Sequence, residues 1–218
     1  MKQMQRALLG AAAMLLMATS ASATQFTFTN ITNNGNTDIS GQLTVDVTAG
    51  TVAGTVDFLF KNNVGIASSV AEIYFDDGTL LGISSVTNGT GTNFTGGSAN
   101  PGDLPGGNTL ATPFVTTAGF LAESSGANAN GINAATESVT ITFTLINGKT
   151  FADTIAALEG GVDLRIGLHV RSIGTTGGSD SYVNNPGGGD PSVPDGGTTV
   201  SLLGLALAGM GIAARRFR

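Results

Sequence analysis

The sequence predicts an all-β fold, an antiparallel β-sandwich with one short helix, and two observations carry that prediction. The first is period-two alternation in four stretches. Leu43, Val45 and Val47 alternate with Thr44, Asp46 and Thr48, and Val56, Phe58 and Phe60 with Asp57, Leu59 and Lys61. Val139, Ile141, Phe143 and Leu145 alternate with Thr140, Thr142 and Thr144. Val162, Leu164, Ile166, Leu168 and Val170 alternate with Asp163, Arg165, Gly167, His169 and Arg171. One apolar and one polar face is what a half-buried antiparallel strand presents. The second observation is that the body offers one helical window. Thr150 to Glu159 spaces Phe151, Ile155 and Leu158 on one side, and Gly160 and Gly161 stop it. Such a helix would cover one end of a sheet. An open barrel is the second architecture.

The remaining strands come in chain order. Phe26 and Phe28 mark a first strand, and Val70 to Phe75 another, closed by Asp77-Gly78 as a hairpin signal. Between about residues 86 and 135 the composition shifts to Gly, Asn, Thr, Ser and Ala, with Pro101, Pro105 and Pro113. Fifty structureless residues are rare in a compact domain, so this is a mobile excursion or hides short strands, for instance over Phe114 to Phe120. Residues 174–192, with Gly187-Gly188-Gly189, read as a flexible linker. The body is therefore expected over residues 24–173.

Both ends look like targeting segments. Lys2 and Arg6 precede an apolar run from Ala7 to Ala18, and Ala21-Ser22-Ala23 gives a small-x-small pattern with cleavage before Thr24. Residues 1–23 thus have the layout of a secretory signal peptide, a substrate for signal peptidase. At the other end, Gly196 to Ala214 is nineteen residues without a charge, followed by Arg215, Arg216 and Arg218. At ~1.5 Å per residue this reaches ~28 Å, enough for a membrane-spanning helix over about 197–214 with a basic cytoplasmic stop.

Charge and cysteine count exclude whole classes. Residues 24–195 hold fifteen acidic side chains against four basic ones, a formal charge of −11, whereas the whole chain shows −6. That surface repels phosphates, so no nucleic-acid partner is expected. With no cysteine, disulfides, thiolate metal sites and a Cys nucleophile are excluded. About 170 residues suffice for a core without such staples.

No motif carries catalysis. His169, the one histidine, shares a strand face with Arg165 and Arg171 and reads as an outward polar residue. No Gly-x-Ser-x-Gly elbow accompanies it. Asp76-Asp77-Gly78 is a weak calcium candidate, since its spacing fits neither an EF-hand nor a nonapeptide repeat. Glu123 and Glu137 flank the polar segment with nothing to fix a glycosidase separation. Neither an enzymatic activity nor a cofactor is expected.

The segment Val193-Pro194-Asp195-Gly196-Gly197, the apolar run through Leu202 to Gly209, and Arg215-Arg216 resemble a PEP-CTERM-type sorting tail over residues 193–218. The variant beginning Val-Pro-Asp-Ser-Gly is the nearest, with Gly196 in place of Ser. The resemblance implies export, anchoring in the inner membrane, processing by an exosortase near the motif, and release to the cell surface or the medium. Leu104 to Asn108, Phe114 to Phe120, Phe151 to Asp153, Leu164 to Val170 and Ser179 to Tyr182 are similar to an uncharacterised exported domain that often precedes such tails. The expected role is a non-enzymatic envelope or extracellular-matrix protein. The alternative is an adhesive module that binds carbohydrate, such as extracellular polysaccharide, or depends on calcium. Tyr74 and Tyr182 are its only amphipathic aromatics. An exported hydrolase comes last.

Overall fold

The computed structural model describes residues 23–34, 36–187 and 190–191. The expected signal peptide apart from Ala23, the segment Val193 to Gly197, the apolar run and Arg215, Arg216 and Arg218 lie outside the described residues. Among the described residues no helix is long and apolar enough to cross a membrane.

Among the described residues eleven strands and one α-helix succeed one another: β1 Thr24–Asn30, β2 Leu43–Ala49, β3 Thr55–Asn62, β4 Ser69–Asp77, β5 Leu81–Asn88, β6 Phe94–Gly96, β7 Leu121–Ser124, β8 Ser138–Leu145, α1 Phe151–Gly160, β9 Leu164–Ile173, β10 Gly178–Asn184 and β11 Asp190–Pro191. Every pairing is antiparallel, in the order β5-β8-β3-β2-β1-β10-β9-β4-β7-β6, with β11 on β1.

β1 makes this one curled sheet. Its first half, Thr24 to Thr27, pairs with β2, and its second half, Phe28 to Asn30, pairs with β10. The two wings then fold face to face. Phe58 of β3 meets Phe75 of β4 edge-on at 5.2 Å, and Phe75 meets Phe143 of β8 at 4.7 Å. Such T-shaped contacts between large apolar side chains dominate a core of this kind. The outermost strands are joined by a side chain that imitates a ladder. Asn88 Oδ1 accepts from the Phe94 amide at 2.6 Å, and its Nδ2 donates to the Phe94 carbonyl at 2.9 Å.

α1 begins with a capping box. Thr150 accepts from the Asp153 amide, the Asp153 carboxylate accepts from the Thr150 amide, and Gly161 ends the helix in the left-handed region. Thr154, Ala157 and Leu158 face inward and close one end of the sandwich.

Three expectations are corrected. Asp77-Gly78 is a turn but not a hairpin, because β4 and β5 belong to opposite wings and Asp77 uses its carboxylate to take the Leu80 and Leu81 amides. The stretch from 174 is not a linker, since β10 lies in mid-sheet between β1 and β9. Of the two readings of residues 86–135 the short strands hold, as β6 and β7, although Phe114 to Phe120 is a covering segment without strand structure. Val162 falls outside β9 and is exposed.

Candidate functional site

Most of the polar side chains singled out in the sequence converge on the outer face of the β4–β9 wing, whereas Tyr182 is buried in the core and Glu137 serves a loop. Parity assigns Ile73, Phe75, Leu164, Ile166 and Leu168 to the core, so Glu72, Tyr74, Asp76, Arg165, Gly167, His169 and Arg171 point the other way. One rung crosses four strands as Glu123, Glu72, His169 and Ser181. The next runs Leu121, Tyr74, Gly167 and Val183.

Glu72 is the hub of the first rung. Its Oε2 accepts from the Tyr74 hydroxyl at 2.5 Å and pairs with His169 Nδ1 at 2.8 Å, while Arg171 pairs with Oε1. Facing an ionised Glu72, His169 Nδ1 is the donor whichever charge state the ring carries. Burial pushes the Glu72 carboxyl up, but the bonds from His169 and Tyr74 and the charges of His169 and Arg171 outweigh it and hold the group below its ordinary value. The same contact, after burial, raises the Tyr74 phenol. His169 therefore does not stand among positive charges alone. The carboxylate that balances them lies 97 residues away in the chain.

Ser181, His169 and Glu72 occupy neighbouring strands in the order a hydrolase would need, yet they form no relay. Ser181 is 0% exposed and its hydroxyl has no hydrogen-bond partner. Its amide donates to Thr32 Oγ1 at 2.9 Å, under the segment after β1. Glu137 takes the Asn133 and Ala134 amides at 2.7 and 3.0 Å, so its carboxylate serves a loop.

A lid from the Gly- and Pro-rich segment before β7 covers the second rung. Leu104 and Phe114 pack on Tyr74, with Ile31, Leu110, Leu121 and Val183 around them. Gly167 makes this possible, because a Cβ there would stand 2.7 Å from Leu104 Cδ2 and 3.1 Å from Phe114 Cζ. Arg165, 7% exposed, fastens the lid. It donates to the carbonyls of Thr112 at 2.7 Å and Pro113 at 2.6 Å, pairs with Asp76, and lies 5.2 Å from the Phe114 ring centre. Asp76 and Asp77 are thus both committed, one to Arg165 and one to backbone amides. Among the described residues no three His, Cys, Asp or Glu side chains gather as metal ligands.

Sequence reasoning missed Asp180. This carboxylate is 1% exposed and has no basic partner in the hydrogen bonds around it. Thr32 Oγ1, the Asn34 amide and Asn36 Nδ2 donate to it at 2.7, 2.8 and 2.8 Å. Burial pushes its carboxyl up, and these donors, with Asn30, more than reverse that and hold it low. The Asn-rich run after β1 was the available signal. It supplies neutral donors to a buried acid.

The opposite wing presents a different surface. Ser85, Thr142, Asp57 and Thr48 form one outward rung, and Thr87, Thr140, Leu59, Asp46 and Gln25 another. These side chains are half-buried or exposed. Thr142 donates to Asp57 at 2.5 Å, while Gln25 and Lys61 hold Asp46 at 2.6 and 2.7 Å.

β11 ties the end of the body to its beginning, with Thr24 opposite Pro191 and Gln25 opposite Asp190. The segment directly after β11 is the one that comparison with known families identifies. No curated protein and no solved structure matches the chain. Residues 192–217 match the VPDSG-CTERM motif. The chain therefore carries a PEP-CTERM-type C-terminal sorting signal and is an exported, envelope-targeted protein sorted through its C-terminus.

Proposed function

We propose that residues 24–191 form a non-enzymatic display module of the cell envelope or extracellular matrix. A signal peptide delivers it, the apolar run over 197–214 parks it in the inner membrane, and an exosortase processes it near Val193 to Gly197. The match over residues 192–217 carries this reading. The buried polar rung supports the non-enzymatic part, since its serine hydroxyl bonds to nothing and its carboxylate is saturated by three neighbours. Mass spectrometry of the exported product tests the route. The expected product starts at Thr24 and lacks Arg218; an exported product that keeps Arg218 overturns the processing step.

The open wing favours a second reading, an adhesive module for carbohydrate or calcium. Its hydroxyl and carboxylate ladder offers donors and acceptors to a sugar chain and oxygens to a hard cation. Calcium titrated against thermal unfolding discriminates. An unchanged midpoint at millimolar calcium removes the ion-dependent form.

A further inference from the structure

Both ends of the body leave from one pole. Across an antiparallel ladder the Cα atoms of Thr24 and Pro191 stand about 5 Å apart. The registers show what shares that pole. Thr24 lies opposite Val47 near the end of β2, Thr55 opposite Thr144 near the end of β8, and Leu164 opposite Asp77 at the end of β4. The β2–β3 hairpin, the β4–β5 turn and α1 are therefore at the same end as the two termini of the body.

That pole also holds the most exposed large apolar side chains. The large hydrophobic side chains that stand exposed among the described residues are Val52, Val115 and Val162, at 66, 62 and 68%. Val52 is on the β2–β3 hairpin and Val162 joins α1 to β9. The Val115 amide donates to Asp76 near the end of β4. The same pole carries Asp153 and Glu159 on α1 and Asp163 next to Val162, with Lys149 beside Asp153 and Asp163 in one cleft. From Pro191 to the start of the apolar run at Gly197 the chain takes six steps of at most ~3.5 Å, ~20 Å in all.

We propose that this pole is the lipid-facing surface of the tail-anchored precursor. The three valines rest on the headgroup layer, and the acidic side chains favour a zwitterionic over an anionic surface. A contact this small needs the tether, which holds the pole at high effective concentration near the membrane. The β9–β10 hairpin and the far pole then point away from the bilayer. The inference rests on the sorting-tail reading.

The chain lacks cysteine, so single-cysteine variants report position cleanly. Thr51→Cys and Ala156→Cys mark the near pole, and Asn63→Cys and Thr175→Cys the far one; all four sites are exposed. Each full-length variant, fluorophore-labelled, is placed in phosphatidylcholine vesicles containing a headgroup-quencher lipid. Near-pole labels are expected to be quenched at least about twofold more than far-pole labels, and the triple variant Val52→Ser, Val115→Ser, Val162→Ser to lose most of that difference. Equal quenching at both poles in protein that floats with the vesicles overturns the inference while leaving the anchor intact. Failure to float overturns the anchor reading and the inference with it. Near-pole quenching that appears only in membranes containing the processing enzyme assigns the pole to a protein contact instead.

Discussion

Glu72 shows how a carboxylate 8% exposed is kept charged. Three donors on one group offset its desolvation, and the sign of that arrangement fixes an acid dependence. A carboxyl whose folded value lies below the unfolded 4.5 stabilises the fold above that pH and loses the contribution as pH falls through the folded value. Asp180, depressed from 3.8 by amide and hydroxyl donors that overcome its burial, adds to the same arm. The thermal midpoint is expected to drop as pH is lowered below about 4.5, and Glu72→Gln should flatten that drop while lowering the midpoint at neutral pH. At the alkaline end the sign reverses. Burial is the main cause that pushes the Tyr182 phenol up to about 12, helped by the charges of Asp180 and Asp38; Tyr74 is raised by burial and by Glu72. A phenol raised in the fold stabilises it fully below the unfolded value of 10.0 and loses this as pH climbs towards 12. The chain has two tyrosines and no tryptophan, so tyrosinate absorbance follows these two groups alone. Ionisation is expected together with unfolding. Titration near the ordinary phenol value in a still-folded protein would contradict the burial of both.

Among the elements, the lid over the β4–β9 wing depends on a missing side chain. Gly167 lies in β9, where a larger residue would have a better strand propensity, yet a Cβ there meets Leu104 at 2.7 Å. Gly167→Val should therefore destabilise by about 1–3 kcal/mol through overpacking and lift the segment from Leu104 to Phe114. Limited proteolysis reads this as faster cleavage between those residues than in the parent. Equal rates would mean that Arg165 alone holds the lid. The strands β2, β3 and β8 were legible in the sequence because one face of each is wet, which leaves a plain alternation. β9 alternates just as clearly, but its charged face is covered. Arg165 looks the same whether it meets water or Asp76, 89 residues earlier. β6 and β7, with three and four residues, are too short to show a period. β10 is hidden for another reason. Its inward positions include Asp180 and Asn184, polar residues whose oxygens accept from Thr32 and from the Ile166 amide, and no local pattern announces that.

For the whole molecule, β10 is the strand on which the curled sheet depends. It stands between β1 and β9, so the wing built on β2, β3 and β8 is bonded to the wing built on β9 and β4 through the β1–β10 ladder. Its buried Tyr182 and Asp180 lock the segment after β1 onto the same place. The position of a cut should then matter far more than its length. Residues 24–191 keep every described strand and are expected to fold alone, with one cooperative denaturant transition. Residues 24–173, the body as composition bounds it, lose β10 and β11. The loss uncovers Phe28 and Leu168 opposite the missing strand and leaves β1 and β9 with unpaired edges. That shorter chain should show no cooperative transition and should aggregate, whereas removing residues 192–218 should leave the denaturation midpoint of the body within experimental error. If the two truncations instead unfold with the same midpoint and slope, β10 is not part of the cooperative unit, and the sheet must close through β5 and β6 alone.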